Sequence, residues 1–294
     1  MEWDAIKWAQ TYKTSNLNRR KELLIDVWEN TIKIVKNGKY FSDGEVIIDN
    51  SKVCQNSLFT ENGPIYDPTG INDFKTEILV MDADCLDVAR TMENPIVLNM
   101  ASYKNPGGGV INGSSAQEEN LFRRTNLFKS LYQYVDYAHQ YGIEQNSKYK
   151  YPLGDYGAIY SKDITVFRGS EKNGYYLLSH PFKCAFISVP AIKRPELKNR
   201  RMNENDFSKT KQKIRRIFQF AHENGHRDLV LSAFGCGAYG NPPEQIASIF
   251  KELLDTEYKG VFHKIVFAIY DDHNSYKEHN PDGNLKPFKK IFNI

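Results

Sequence analysis

A chain of 294 residues, 40% hydrophobic and 26% charged, has room for one large α/β domain or for a domain with an appendage. It contains no run of about 18 apolar residues, which excludes a helical membrane span, and its first residues lack the basic-then-apolar pattern of a secretory signal, so none is expected. A formal net charge of +3 is too small for a nucleic-acid binder, which needs a concentrated basic surface. The first helical rhythm runs from Asn18 to Lys36, with Leu23, Leu24, Val27, Trp28, Thr31, Ile34 and Val35 at three- and four-residue steps and Gly38 as a stop. Residues 42–73 are rich in Asp, Asn, Gly and Pro and read mostly as connection, with room for a short strand at Val46–Ile48.

From Lys75 the pattern becomes strand (Glu77–Met81), helix, then a second apolar strand, Ile96–Met100. Glu118–Tyr141 reads as one long amphipathic helix with Leu121, Phe128, Leu131 and Val135 on a single stripe. A strand at Lys183–Ile192 leads to Lys193–Arg201, whose five positive charges suit either a solvated loop or a patch that steers an anionic substrate. A helix at Glu204–Asn224, a strand at Asp228–Phe234, a helix at Pro242–Asp255 and a strand at His263–Asp271 follow. Strands that are apolar throughout and alternate with helices predict an α/β fold, its sheet parallel or mixed and covered on both faces. Ligands in such folds bind beyond the carboxyl ends of the strands. Cys54, Cys85, Cys184 and Cys236 form no C-x-x-C pair and the seven histidines show no ligand spacing, so no metal is expected. Unpaired cysteines fit a reducing, cytoplasmic compartment. Asp271-Asp272-His273 reads as a strand-end loop rather than a metal site.

Two glycine loops fall where a ligand would sit. Asn105-Pro-Gly-Gly-Gly-Val110 follows the Ile96–Met100 strand, and three successive glycines belong where φ is positive or a ligand comes close. Gly235-Cys-Gly-Ala-Tyr-Gly-Asn-Pro-Pro243 precedes a helix with proline in its first turn, so its backbone N–H groups and the helix dipole make a ready anion site without any lysine. It matches neither a P-loop nor a dinucleotide-binding fingerprint. Between these loops stands Gln117-Glu118-Glu119 at a helix start, where acids are also simply stabilising. Adjacent helical residues point about 100° apart, so the two carboxylates should differ in task.

The glycine triplet followed after seven residues by Gln-Glu-Glu resembles the signature of the poly(ADP-ribose) glycohydrolases. The surrounding VLNMASYKNPGGGVINGSSAQEENLFRRTNLF resembles their microbial branch, and GCGAYGNPP resembles the phosphate loop of macrodomains. TIKIVKNGKY is similar to that branch's accessory segment. The resemblance runs from about Asn18 to the C-terminus. It implies a macrodomain-like three-layer α/β/α fold with a mixed sheet over residues 75–294, and an N-terminal helical accessory segment with its connection over residues 1–74.

The resemblance also implies roles. Glu119 matches the catalytic acid and Glu118 the neighbour that positions ribose hydroxyls. Gly107, Gly108, Gly109 and Val110 would pack against the pyrophosphate and ribose, with Gln117 opening the motif. Gly235, Cys236, Gly237, Ala238 and Gly240 would close over the pyrophosphate, and Tyr239 stands where the family often has a ribose-stacking Phe. Asn99, Ser102 and Asn105 fall where macrodomains place polar groups near a ribose, and Met100 stands where the microbial branch often has Phe. Glu119 would protonate the departing ribose oxygen and then, ionised, activate the water that attacks C1″. Bound pyrophosphate and Glu118 would favour the protonated form that the helix dipole opposes. No cofactor is implied. The expected partners are poly(ADP-ribose) or ADP-ribosylated protein and the product ADP-ribose, with no membrane or nucleic acid, for a monomer. A mono-ADP-ribosyl-protein hydrolase would use the same pocket. A non-catalytic ADP-ribose-binding macrodomain and an ADP-ribose-1″-phosphate phosphatase would lack the paired glutamates. The Asp43–Asp67 segment would decide between cleavage at chain ends and within chains.

Overall fold

The computed structural model describes residues 3–61 and 75–294. In chain order the helices and strands are α1 (Ala5–Thr14), α2 (Leu17–Asn37), β1 (Lys39–Phe41), β2 (Glu45–Ile47), β3 (Ser57–Thr60), β4 (Glu77–Met81), α3 (Cys85–Ala89), β5 (Ile96–Met100), α4 (Gln117–Arg124) and α5 (Leu127–Tyr132). They continue with β6 (Ala158–Arg168), β7 (Leu177–Val189), β8 (Leu197–Lys198), β9 (Arg201–Met202), α6 (Glu204–Glu223), β10 (Asp228–Leu231), α7 (Pro243–Asp255), β11 (Lys264–Ala268) and α8 (Leu285–Phe292). One sheet has seven strands in the order β3-β6-β7-β5-β10-β11-β4. It is mixed. β5, β10, β11 and β4 pair in parallel, whereas β6 and β7 are neighbours joined by residues 169–176, too short a link for a parallel crossover. This is the α/β architecture the apolar strands predict. No helix among the described residues is long and apolar enough to cross a membrane. The chain divides into two compact units, residues 1–59, 101–152 and 161–185 in one and residues 60–100, 153–160 and 186–294 in the other. Part of the Asp43–Asp67 segment and the boundary at residue 74 lie outside the described residues.

In the second unit the parallel strands are apolar on both faces because helices cover them. Val97 faces Val230, which faces Val266, which faces Leu79, and Ile96, Val97, Leu98, Leu229, Val230, Leu231, Ile265, Val266 and Phe267 are all buried. Ile246, Ile249, Phe250, Leu253 and Leu254 form the inward stripe of α7 at helical spacing. Phe250 meets Phe218 of α6 at 5.9 Å and Phe267 of β11 at 5.1 Å, and Phe267 meets Phe288 of α8 at 5.3 Å. Asn203 starts α6 by accepting from the Asp206 N–H at 2.8 Å. The basic run at Lys193–Arg201 ends in the β8–β9 hairpin, where Asn199 and Arg200 both turn at positive φ.

One lysine in this unit predicts a measurable pH dependence. Lys213 of α6 is 5% exposed and donates to the Asp155 carbonyl. Burial pulls its ammonium down to about 8, against the weaker pull of Asp155. Between pH 8 and 10.5 the unfolded chain therefore binds more protons at this side chain than the folded one does. Stability should rise with pH through that window by up to about 1.4 kcal/mol per pH unit, and the penalty is fully present below pH 8. Lys213→Met should be more stable than the parent at pH 7 and should lose its advantage towards pH 10.5. Denaturant titrations of both proteins at pH 7, 9 and 10.5 check this, and parallel curves would refute it.

In the first unit α2 follows the predicted rhythm, from the Asn16 cap, which accepts from the Arg19 N–H at 3.0 Å, to Gly38 at φ 68°. Ahead of it lies α1, which the sequence reading leaves out. It is held by Trp8, whose indole donates to the Leu23 carbonyl at 3.1 Å and meets Tyr175 edge-on at 5.1 Å. Arg168, fully buried on β6, donates to Thr31 Oγ1 and the Tyr175 carbonyl at 3.0 Å each, and also to Asn30 Oδ1. Trp3 covers its guanidinium at 4.7 Å.

The long helix expected over 118–141 is three pieces: α4, α5 and a short 3₁₀ turn at Ala138–Tyr141. Thr125 breaks it. Thr125 is extended, at φ −140° and ψ 171°, and forms an antiparallel bridge with Val166 of β6. Its hydroxyl donates to the Leu121 carbonyl and accepts from the Leu127 N–H, and the Asn126 side chain accepts from the Thr165 N–H at 2.8 Å. A β-branched residue and an asparagine that bonds to backbone give the chain an alternative to the helix, and the strand alongside takes it.

Candidate active site

The loop that carries the glycine triplet is built around two carboxylates. β5 ends at Met100, and the Ser102 hydroxyl accepts from the Asn105 N–H at 3.2 Å, closing a turn. Gly107 and Gly108 follow at φ 78° and 56°, which only glycine adopts freely. Gly108 and Val110 donate to the carbonyls of Asn105 and Gly107. Gly107 donates to Glu118 Oε1 at 3.0 Å and Gly109 donates to Glu119 Oε1 at 2.8 Å. All three glycine amides are thus occupied within the loop, two of them by the acids.

Glu118 and Glu119 lie in the first turn of α4 and are 4% and 7% exposed. Glu118 uses both oxygens on backbone, Oε1 on Gly107 and Oε2 on the Ser102 N–H at 2.7 Å. Glu119 uses Oε1 alone, and among the described residues its Oε2 has no hydrogen-bond partner. The bonding pattern separates the two neighbours: Glu118 is anchored at both oxygens and Glu119 at one. A side chain at Gly108 would strike Glu119 Oε1, and one at Gly107 would come within 2.5 Å of the Phe122 ring. The glycines are there because acids and an aromatic occupy the space a Cβ would fill. Burial raises the hydroxyls of Tyr132 and Tyr151 far above the ordinary phenol value, and the Glu118 charge acts in the same direction, so these phenols stay neutral behind it.

The remaining predicted residues divide. Ser102, Asn105, Val110 and Gln117 belong to the same loop and helix start, with Asn105 and Ser102 shaping the turn and Val110 buried. Asn99, in the second unit, is fully buried and its amide donates to Ser188 Oγ at 3.0 Å.

The Gly235–Gly240 loop also lies in the second unit, between β10 and α7. Gly235, at φ 74°, sits against Ala191 and the Asn241 side chain, which donates to the Ile192 carbonyl at 2.8 Å and the Gly235 carbonyl at 3.0 Å. The N–H groups of Cys236, Gly240 and Asn241 are used inside the turn, and among the described residues those of Gly237 and Ala238 have no acceptor. Lys193 lies 5.9 Å over the Tyr239 ring. Burial pushes the Cys236 thiol well up, so it is inert.

Sequence reasoning missed what braces this loop. His279 Nε2 and Asn280 Nδ2 both donate to the Cys236 carbonyl, at 2.8 and 3.2 Å. Asn280 is fully buried and donates to Asn284 Oδ1 at 2.7 Å, while the Asn284 amide donates to Ser275 Oγ and Ser275 donates to Asp271. The one signal was composition: Asn and Asp crowd residues 271–284, where nothing apolar explains them.

Comparison with known proteins agrees with this geometry. The profile of the microbial-type PARG catalytic domain matches residues 29–169. The fold is similar to the poly(ADP-ribose) glycohydrolase of Thermomonospora curvata, with a TM-score of 0.73 and 27% identity over 92% of this chain and 99% of that one. The same enzyme bound to the inhibitor ADP-HPD gives 0.72 and 26% over 91% and 98%. The glycohydrolase of Deinococcus radiodurans in complex with ADP-ribose gives 0.64 and 25% over 84% and 99%. No curated protein matches by sequence. Residues 29–169, which hold both the glycine triplet and the paired glutamates, match the microbial-type PARG catalytic domain, and the chain shares its fold with solved poly(ADP-ribose) glycohydrolases along nearly their whole length.

Proposed function

We propose that the chain hydrolyses the ribose–ribose O-glycosidic bonds of poly(ADP-ribose), releasing ADP-ribose, with Glu119 as general acid and then general base. The observation that carries this reading is the unequal bonding of the glutamates. Glu119 keeps Oε2 available beside three residues without side chains. The leaving ribose alkoxide needs a proton, which a carboxylic acid delivers. The oxocarbenium-like centre left behind is stabilised by negative charge and captured by water, which the Glu119 carboxylate deprotonates. Many glycosidases divide these tasks between two separated carboxylates. Here Glu118 is held at both oxygens by Ser102 and Gly107, so it fixes the loop, and by resemblance it positions the ribose hydroxyls.

The Gly237 and Ala238 amides, next to the positive end of α7, suit a pyrophosphate oxygen, with Lys193 nearby to draw the anion in. Tyr239 offers the ring for a ribose. Asn99, Ser102, Asn105, Gln117 and Val110 complete the assignment by resemblance. Residues 1–74 are taken as the accessory segment and 75–294 as the catalytic domain, acting as a cytoplasmic monomer. Four free cysteines support a reducing location.

The test is to incubate the purified protein with automodified poly(ADP-ribosyl)ated protein and follow polymer length and free ADP-ribose together. Shortening polymer with rising ADP-ribose is the expected result. Removal of the protein-linked unit alone would replace this reading with a mono-ADP-ribosyl hydrolase, and binding without release would replace it with a binding module.

A further inference from the structure

Arg123 lies on α4 one turn beyond Glu119 and is fully buried, yet no carboxylate among the described residues pairs with it. Its Nε donates to the Leu24 carbonyl of α2 at 3.0 Å and its Nη2 donates to the Ser114 carbonyl at 2.5 Å, while Nη1 has no acceptor among the described residues. A buried guanidinium without a counter-charge is expensive, and a Met or Leu would fill the space at lower cost. What the arginine adds is reach.

Ser114, the residue it holds, donates its N–H to the Gly109 carbonyl at 3.2 Å, and Gly109 donates to Glu119 Oε1. The links close a ring: Glu119, one helical turn to Arg123, Ser114, Gly109 and back to Glu119. A side chain on Gly109 would collide with Ser114 Oγ, so the ring is also tight. α2 fixes it from outside. Thr31 Oγ1 donates to the Arg123 carbonyl at 2.6 Å, and Gly113, at φ 70°, lies so close to α2 that a Cβ would strike the Lys21 backbone.

We propose that Arg123 is a positioning residue: it ties the glycine loop to α2 and thereby holds the Gly109 N–H on Glu119. Its catalytic consequence rests on the glycohydrolase reading, whereas the loop-holding role does not. Hydrogen exchange in the substrate-free protein reads that role directly. In Arg123→Lys, which keeps the charge but loses the fork, amides of the Gly107–Ser114 segment should exchange about tenfold faster, as expected for one lost charge-assisted hydrogen bond. Arg123→Met should exceed this, and Gly113→Ala should loosen the same segment from the α2 side. Exchange in β10 and β11 should not change. In turnover, Arg123→Lys should lower kcat about tenfold with KM little altered. Wild-type exchange at 107–114 in Arg123→Lys and Gly113→Ala, with only a fall in Tm, would overturn the proposal and leave Arg123 as packing. A wild-type protein that released no ADP-ribose would sink the glycohydrolase reading, and the exchange result would still decide this one.

Discussion

Replacing Glu119 with Gln should lower kcat on poly(ADP-ribose) by about 10²–10⁴-fold, the usual contribution of a positioned acid–base group, while ADP-ribose still binds. Gln is isosteric, and its amide oxygen can keep accepting from the Gly109 N–H, the single hydrogen bond Glu119 makes. The loop therefore stays as it is and only the transferable proton is lost. The same change one residue earlier should behave differently. Glu118 accepts from backbone N–H groups at both oxygens. An amide there must turn its NH₂ towards the Ser102 or Gly107 donor, which costs about 1–3 kcal/mol for the unsatisfied pair. Glu118→Gln should lose stability and weaken ADP-ribose binding together, whereas Glu119→Gln should lose turnover alone. Measuring kcat, ADP-ribose affinity and denaturant midpoint for both separates the two acids. Equal stability losses would remove the distinction, and wild-type kcat in Glu119→Gln would remove Glu119 from the chemistry.

The parts of the fold that were legible depend on local or purely apolar signals. β4 and β5 match the expected spans residue for residue, and α2, α6 and α7 match within a residue or two, because burial on both faces or along one stripe writes itself into the pattern. What stayed hidden depends on partners distant in sequence. The helix break at Thr125 needs β6, and β6 is itself disguised by Ser161, Lys162 and Asp163, the last at φ 60° and bonded to the Asn56 amide. α1 offers a single buried residue, Trp8. Arg123 and Arg124, a basic pair in the last turn of α4, are fully buried, and nothing local to two charged residues announces that. At the site, the glycine triplet and the glutamates could be found as a motif. That the glycine amides bond to the acids, and which donors each acid takes, could not, since the roughly 100° between adjacent helical positions separates the two carboxylates without naming their partners.

Gly108→Ala tests whether the triplet exists to make room for the acid. Two penalties arise in this variant and can be told apart. At φ 56° any L-residue pays about 1–2 kcal/mol of backbone strain, wherever it sits. At Gly108 the new Cβ also meets Glu119 Oε1, and it would lie 3.4 Å from Glu118 Oε2. Either the loop or the carboxylate must shift, and a displacement of about 1 Å in a reacting group costs roughly 100-fold in rate. Gly142 supplies the control. It has φ 69° and open space where a side chain would go, so Gly142→Ala carries the strain without the collision. Gly142→Ala should lose only the strain energy and Gly108→Ala at least as much, and only Gly108→Ala should lose about 100-fold in kcat. If the two variants turned over equally well, the glycines would be serving the backbone turn alone, and the close approach of Gly108 to Glu119 would have no catalytic weight.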